Sequence, residues 1–198
     1  MLKKHLGELS NKYAQARFRL INEYAKPGRL LDVGGYVGEL RKYLSGGIEY
    51  YLVDRDEEAN KILNGQVIDL QKEDISKCFP INFDVVVASC MLDIVYDPET
   101  LIKQIRILLK NDGLLIVSID NDNTIIHRLR VLFGRGINKT PFNIHYHLRH
   151  PTFRQWFNFF DADFERVKIS YTICFNTEKP IWFDKIALFL ANVFPTLF

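Results

Sequence analysis

The stretch "GRLLDVGGYVGEL", residues 28–40, decides the fold. Its first half is an apolar, branched run of the kind expected in a strand buried on both faces. Gly34, Gly35 and Gly38 then let the backbone turn sharply and let a ligand approach main-chain N–H groups without interference from Cβ atoms. A helix expected to start near Val37 adds its positive end. Strand, glycine turn and helix in that order hold a nucleotide-like ligand. Tyr36 is the odd residue, standing where such turns usually take a further glycine.

Downstream of this stretch the same rhythm repeats. Apolar runs at residues 29–33, 50–54, 66–69, 83–89 and 113–120 read as strands of a parallel sheet, with helical stretches between them. The clearest helix is "DPETLIKQIRILLKNDG". Asp97 is a good N-cap, Pro98 suits the first helical position, Leu101, Ile102, Ile105, Leu108 and Leu109 form one stripe, and Gly113 is expected to close the end. The pattern predicts an α/β fold: a Rossmann-like, doubly wound, mostly parallel sheet with right-handed crossovers and helices on both faces. After Asp120 the order changes to a helix around 122–133, a loop, a helix opened by the capping box of Thr152 and Gln155, and an expected strand "ERVKISYTIC".

In such sheets ligands bind at the carboxyl ends of the strands, where strand order reverses. The second strand ends in Asp54, about 20 residues after the glycine turn, and its carboxylate can accept two hydrogen bonds from a ribose diol. This fits a dinucleotide or an adenosyl cofactor. A dinucleotide fingerprint starting at Gly34 needs glycine at 36 and 39, where the chain has Tyr36 and Glu39, and "GYVGEL" offers no phosphate-binding lysine. Asp32, two residues before the first glycine, is awkward beside a pyrophosphate and favours a ligand with an ammonium group.

The bulk properties agree with one enzyme-sized domain over residues 1–198, divided into an N-terminal helical segment (1–27), a cofactor-binding core (28–120) and an acceptor-side part (121–198). A chain of this length buries about 70% of its unfolded surface. The net charge of +2 gives no reason to expect nucleic acid. Cys78, Cys90 and Cys174 are scattered singly, which argues against a thiolate metal site or a disulfide framework and fits the cytoplasm. No segment offers a secretory signal or the ~18 apolar residues of a membrane span. The apolar stretch "PIWFDKIALFLANVF" reads as a helix that packs on the domain or makes peripheral membrane contact through residues 180–198.

These residues resemble the class I S-adenosylmethionine-dependent methyltransferases. "LLDVGGYVGEL" is similar to that family's first motif, "YYLVD" to its second, "VIDL" to its third, and residues 83–119 to its fourth strand, following helix and fifth strand. The resemblance implies S-adenosylmethionine as cofactor. It implies that Gly34, Gly35, Tyr36 and Gly38 shape the cofactor loop and that Asp32 lies near the methionine end. Asp54 would hold the ribose with Arg55 beside it, Asp69 and Leu70 would face the adenine, and Ser89 with Cys90 would line the methionine side. The alternative for Asp32 and for Asp69 is a carboxylate capping a nearby turn. Tyr36 either borders the cofactor or partly fills the pocket. Cys90 stands where many relatives have histidine, and Ile94 where they often have another.

Methyl transfer is an in-line displacement that needs alignment first and a base only for a protonated acceptor. The stretch "NIHYHLRHPTF" brings His145 and His147, as acceptor-binding or general-base candidates, just before a helix; its bland reading is a loop docked on the sheet. It has no supporting carboxylate or cysteine nearby, so no metal is expected. Residues 123–136 and "FPTLF" further resemble the methyltransferase type 11 and methionine-biosynthesis W-like subgroup, in which the chain usually continues to a final antiparallel strand. Here either the sequence is truncated or the sheet lacks that strand, and a lacking strand would leave an edge that a second copy of the chain can cover. The expected activity is methyl transfer to a small-molecule or glycan acceptor. The alternative is a methyltransferase-fold regulatory partner protein with little or no catalysis, and an NAD-dependent oxidoreductase is disfavoured by the glycine spacing.

Overall fold

A computed structural model describes residues 14–136, 148–170, 189–190 and 193. The chain divides into two compact units, residues 17–119 and residues 1–16 with 120–198.

The first unit is built on five parallel strands: β1 (Gly28–Val33), β2 (Ile48–Asp54), β3 (Gly65–Val67), β4 (Phe83–Ser89) and β5 (Leu109–Ser118). Their spatial order is β3-β2-β1-β4-β5. All five runs read from the sequence are strands. The order reverses between β1 and β4, so the loops leaving those two strands flank the position where such sheets bind ligands.

Register sets the faces. Leu30 pairs with Tyr50 and with Val85, and Val85 pairs with Leu114, so Leu30, Tyr50, Val85 and Leu114 share one face. On it they join Leu52 and Val87, together with Ile21 and Phe18 of the helix α1, helical over residues 14–24. Leu31, Val33, Val53, Val86 and Ala88 point the other way and are also buried. The sheet is covered on both sides. This is why its strands read as continuous apolar runs rather than alternating ones. On that second face Tyr51, Phe79 and Phe83 meet edge to face, with centroids 5.2–6.1 Å apart.

Helix α2 (Pro98–Leu108) has the expected start. Asp97 accepts from the Thr100 N–H at 3.0 Å, Pro98 opens the helix, and Leu101, Ile102, Ile105 and Leu108 are buried. Its end differs from expectation. The helix stops at Leu108, and Leu109 is already paired with Phe83. Pairing resumes at Val85 with Leu114, so residues 110–113 bulge from the strand and Gly113 closes no helix. Lys110, on the bulge, reaches Asp84 Oδ1 at 2.6 Å, while Asp84 Oδ2 accepts the Arg29 N–H at 2.8 Å.

A second difference concerns the helix expected from Val37. Only a five-residue 3₁₀ segment forms, Glu39–Tyr43, because Ser45, Gly46 and Gly47 end it before β2. So short a segment carries little of the dipole expected at its start.

The second unit contains α3 (Ile125–Leu132), capped by Thr124, and α4 (Phe153–Phe160), opened by the reciprocal Thr152–Gln155 capping box. Residues 165–170 of the expected last strand carry no regular structure, and Glu165 to Lys168 are exposed. Its remaining residues lie outside those described, as do most of residues 180–198. Among the described residues no sixth strand extends the sheet, and no helix is long and apolar enough to cross a membrane.

Ile105 and Ile107, two residues apart on α2, are fully buried and 63% exposed respectively. Ile105→Ala should therefore cost about 2–5 kcal/mol in urea unfolding, whereas Ile107→Ala should stay within about 0.5 kcal/mol of wild type.

Candidate functional site

At the exit of β1 the chain passes through three left-handed residues, Gly34, Tyr36 and Gly38, with φ of 74°, 51° and 68°. Tyr36 thus adopts the conformation that a glycine would supply. A non-glycine residue there costs about 1–2 kcal/mol, and an acceptor fixes it in place. Its N–H donates to Asp54 Oδ2 at 2.8 Å, while the Asp56 N–H donates to Asp54 Oδ1 at 2.9 Å. The Tyr36 side chain is 55% exposed, so its ring borders the turn rather than filling its interior.

Asp32 lies beneath this turn and is 2% exposed. Its partner follows from register. Asp32 pairs with Leu52, which places Tyr50 on the same face two residues back, and the Tyr50 hydroxyl donates to Asp32 Oδ2 at 2.6 Å. A Cβ on Gly35 would fall 2.3 Å from that same oxygen and 2.6 Å from Leu52 Cδ1, so this position admits only glycine. Burial pushes the Asp32 carboxyl up to about 6; the Tyr50 hydrogen bond opposes the rise, the Asp54 charge adds to it, and Arg17 opposes it. The Tyr50 hydroxyl is pushed far above its ordinary range, first by burial and then by the Asp32 charge, so it remains a donor.

Across the strand reversal, Cys90 follows β4 and is also left-handed, with φ of 51°. Its N–H donates to the Ser118 carbonyl at 2.8 Å, and its Sγ lies 2.9 Å from Arg17 Nη1. Ser89 Oγ is 2.9 Å from Ser118 Oγ. Arg17, Tyr50 and Ser118 were not singled out from sequence. The parity of β1 and β2 carries a signal for Tyr50; Arg17 lies in a helix with no motif of its own.

Beyond β3, Asp69 caps a turn. Its Oδ1 accepts the Gln71 N–H at 3.1 Å and its Oδ2 pairs with Lys72 at 2.9 Å, which together hold its carboxyl below the usual range. Gln71 then bridges to the loop after β4, accepting from the Tyr96 N–H at 2.8 Å. The Ile68 N–H donates to the Asp54 carbonyl at 2.9 Å, which brings Asp69 and Leu70 beside the end of β2. Arg55 is exposed next to Asp54. The structure thus gathers Asp32, the glycine turn, Tyr36, Asp54, Arg55, Asp69, Leu70, Ser89 and Cys90 at the carboxyl ends of adjacent strands.

His145 and His147 lie outside the described residues. In the second unit His150 Nδ1 is 2.7 Å from Asp122 Oδ2, and the Asn123 amide donates to the carbonyls of His150 and Pro151 at 3.0 and 2.9 Å. Among the described residues no group of three His, Cys, Asp or Glu side chains is placed to hold a metal ion.

A model of the methyltransferase-domain family matches residues 5–166. The chain belongs to this family. The ribosomal protein L11 methyltransferase of Caldicellulosiruptor bescii is 36% identical over 109 residues, covering 50% of this chain and 34% of that protein. The chain therefore spans about a third of the length of this curated relative. Among solved structures, a SAM-dependent methyltransferase of Thermotoga maritima matches with a TM-score of 0.52 and 21% identity over 81% of this chain and 77% of that one. The CurJ carbon methyltransferase matches with a TM-score of 0.53 and 18% identity over 79% and 50%. These likenesses confirm the Rossmann-like methyltransferase fold.

Two outcomes test the site's construction. Because the folded Asp32 carboxyl lies above its ordinary value of 3.8, its contribution to stability is full below about pH 4 and is lost as pH rises through 6. The stability of wild type minus that of Asp32→Asn, measured by urea unfolding, should fall over that window. Tyr36→Gly removes the backbone strain at a smaller entropic cost and should raise stability by up to about 1 kcal/mol; a clear loss would mean that the ring itself packs.

Proposed function

We propose that the chain is an S-adenosylmethionine-dependent methyltransferase acting on a small-molecule or saccharide acceptor, and that residues 1–198 work as one cytoplasmic methyltransferase-like domain. Family membership, the strand reversal and the likeness to the SAM-dependent methyltransferase of Thermotoga maritima support this reading. The observation that carries it is the Asp54 carboxylate. A carboxylate offers about four acceptor positions, and main-chain N–H groups take one on each oxygen. The remaining lone pairs are held in a fixed orientation at the end of β2, and that donor chemistry fits a ribose diol.

When bound, the cofactor supplies a sulfonium methyl for in-line displacement. The chain's own work is then alignment. Asp54 orients the ribose from its fixed position. The main chain of Gly34, Gly35, Tyr36 and Gly38 forms the wall that the cofactor follows, and the Tyr36 ring borders it. Arg55, Asp69 and Leu70 flank the adenine. Ser89 and Cys90 line the methionine end. We assign Asp32 to shaping this wall, through Tyr50 and the close approach of Gly35, rather than to a direct contact. No group among these is placed as a base, which suits an acceptor nucleophilic without deprotonation or one served by His145 or His147.

Calorimetric titration of the full chain with S-adenosylmethionine and with S-adenosylhomocysteine tests the reading. Binding of both is expected, and Asp54→Ala should weaken it by about 1.5–3 kcal/mol, the worth of hydrogen bonds to a charged group. If the folded wild-type protein binds neither, a regulatory role through protein contact replaces the enzymatic one.

A further inference from the structure

Only residues 25–27 separate α1 from β1, and the helix folds back over the sheet face that Leu30, Val87 and Ile116 build. Arg17, before Phe18 and Ile21 on that helix, therefore stands over the carboxyl ends of the strands. Two residues beyond those apolar positions the same face ends in Asp32, Ser89 and Ser118. Apolar packing gives way there to polar groups. Arg17 is the cation set over them: its Nη1 lies 2.9 Å from Cys90 Sγ, and its charge reaches Asp32. The residue as a whole is half-buried, at the rim of this patch rather than in the core.

This guanidinium is poorly matched by the chain. It carries donors on every nitrogen and no acceptor. Nη1 meets a sulfur, a weak acceptor, and Nε is buried without a hydrogen-bond partner. The Phe18 ring, 5.4 Å from the guanidinium carbon, answers part of the charge and accepts no planar pair of hydrogen bonds. Among the described residues no carboxylate forms an ion pair with Arg17. Asp32 does not serve, because its Oδ2 holds the Tyr50 hydroxyl and its burial favours the neutral form. An unmatched donor on a buried charged group is costly, so the arrangement fits an anion brought by a ligand. Shape narrows its class. In arginine, Nε–H and one Nη2–H project side by side along one edge, a fork that matches the two oxygens of a carboxylate. With Nη1 on Cys90, that edge is the one remaining. We propose that Arg17 binds the carboxylate of the cofactor's amino-acid tail through this edge, which makes a residue of α1 the selector for that tail. The inference rests on the S-adenosylmethionine reading, in which Ser89 and Cys90, beside Arg17, line the methionine end.

Calorimetric titration of the full chain with ligands that carry or lack the tail tests this. S-adenosylhomocysteine has it and 5′-methylthioadenosine does not. Arg17→Gln should weaken binding of S-adenosylhomocysteine roughly thirtyfold, the loss expected for charge-assisted hydrogen bonds. The same variant should bind 5′-methylthioadenosine as the wild type does, which also reports that its nucleoside site is folded. In the wild-type protein, decarboxylated S-adenosylmethionine should bind more weakly than S-adenosylmethionine by a similar factor, a comparison that needs no variant. An equal loss for both thioethers in Arg17→Gln would give Arg17 a purely structural role and overturns the proposal. So does wild-type affinity of Arg17→Gln for S-adenosylhomocysteine, or a wild-type protein that does not distinguish the decarboxylated ligand. Each of those results leaves the cofactor reading standing. A wild-type protein that binds none of these ligands overturns the cofactor reading and the role of Arg17 with it.

Discussion

The Asp54 carboxylate ties together the two loops that leave β1 and β2. One oxygen takes the Tyr36 N–H and the other the Asp56 N–H. Without that acceptor, a left-handed tyrosine in the middle of the turn would lose its compensation. With it, the chain leaves β1 along the path that glycines at 34 and 38 allow. Asp32 works one layer below. Its buried carboxyl, the Tyr50 hydroxyl and the bare Gly35 fill a space that no Cβ could share, so the turn rests on a polar contact inside the sheet's apolar face. The two carboxylates are coupled through space. The Asp54 charge helps to hold the buried Asp32 carboxyl toward its neutral form.

Much of this architecture was legible because burial on both faces imposes a pattern that sequence displays directly. The five apolar runs became the five strands, and Asp97 with Pro98 marked the start of α2. The end of α2 was hidden by competition between two signals. Leu109 continues the helical stripe, yet it pairs with Phe83, and Gly113, which reads as a helix stop, instead serves a bulge whose Lys110 reaches Asp84. The short segment after the glycine turn was misjudged as a helix for a similar reason: its start signals are sound, but Gly46 and Gly47 leave it five residues long. At the site, motif positions could be read off singly, while their partners could not. That Tyr50 answers Asp32 depends on the register between β1 and β2, a long-range fact. That Arg17 reaches Cys90 depends on how α1 packs on the sheet.

The β4 side of the reversal repeats the logic of the β1 side with different residues. Cys90, like Tyr36, takes a left-handed conformation without being glycine, and in each case the residue's own N–H is fixed by an acceptor on another strand: the Asp54 side chain at the end of β2 for Tyr36, the Ser118 carbonyl on β5 for Cys90. The chain therefore turns at both exits by hydrogen bonding what glycine would permit freely. Side chains gained at these positions are a phenol at one exit and a thiol at the other. Each is placed where a glycine loop would offer only backbone, so the walls of the site carry chemical identity that the motif alone lacks.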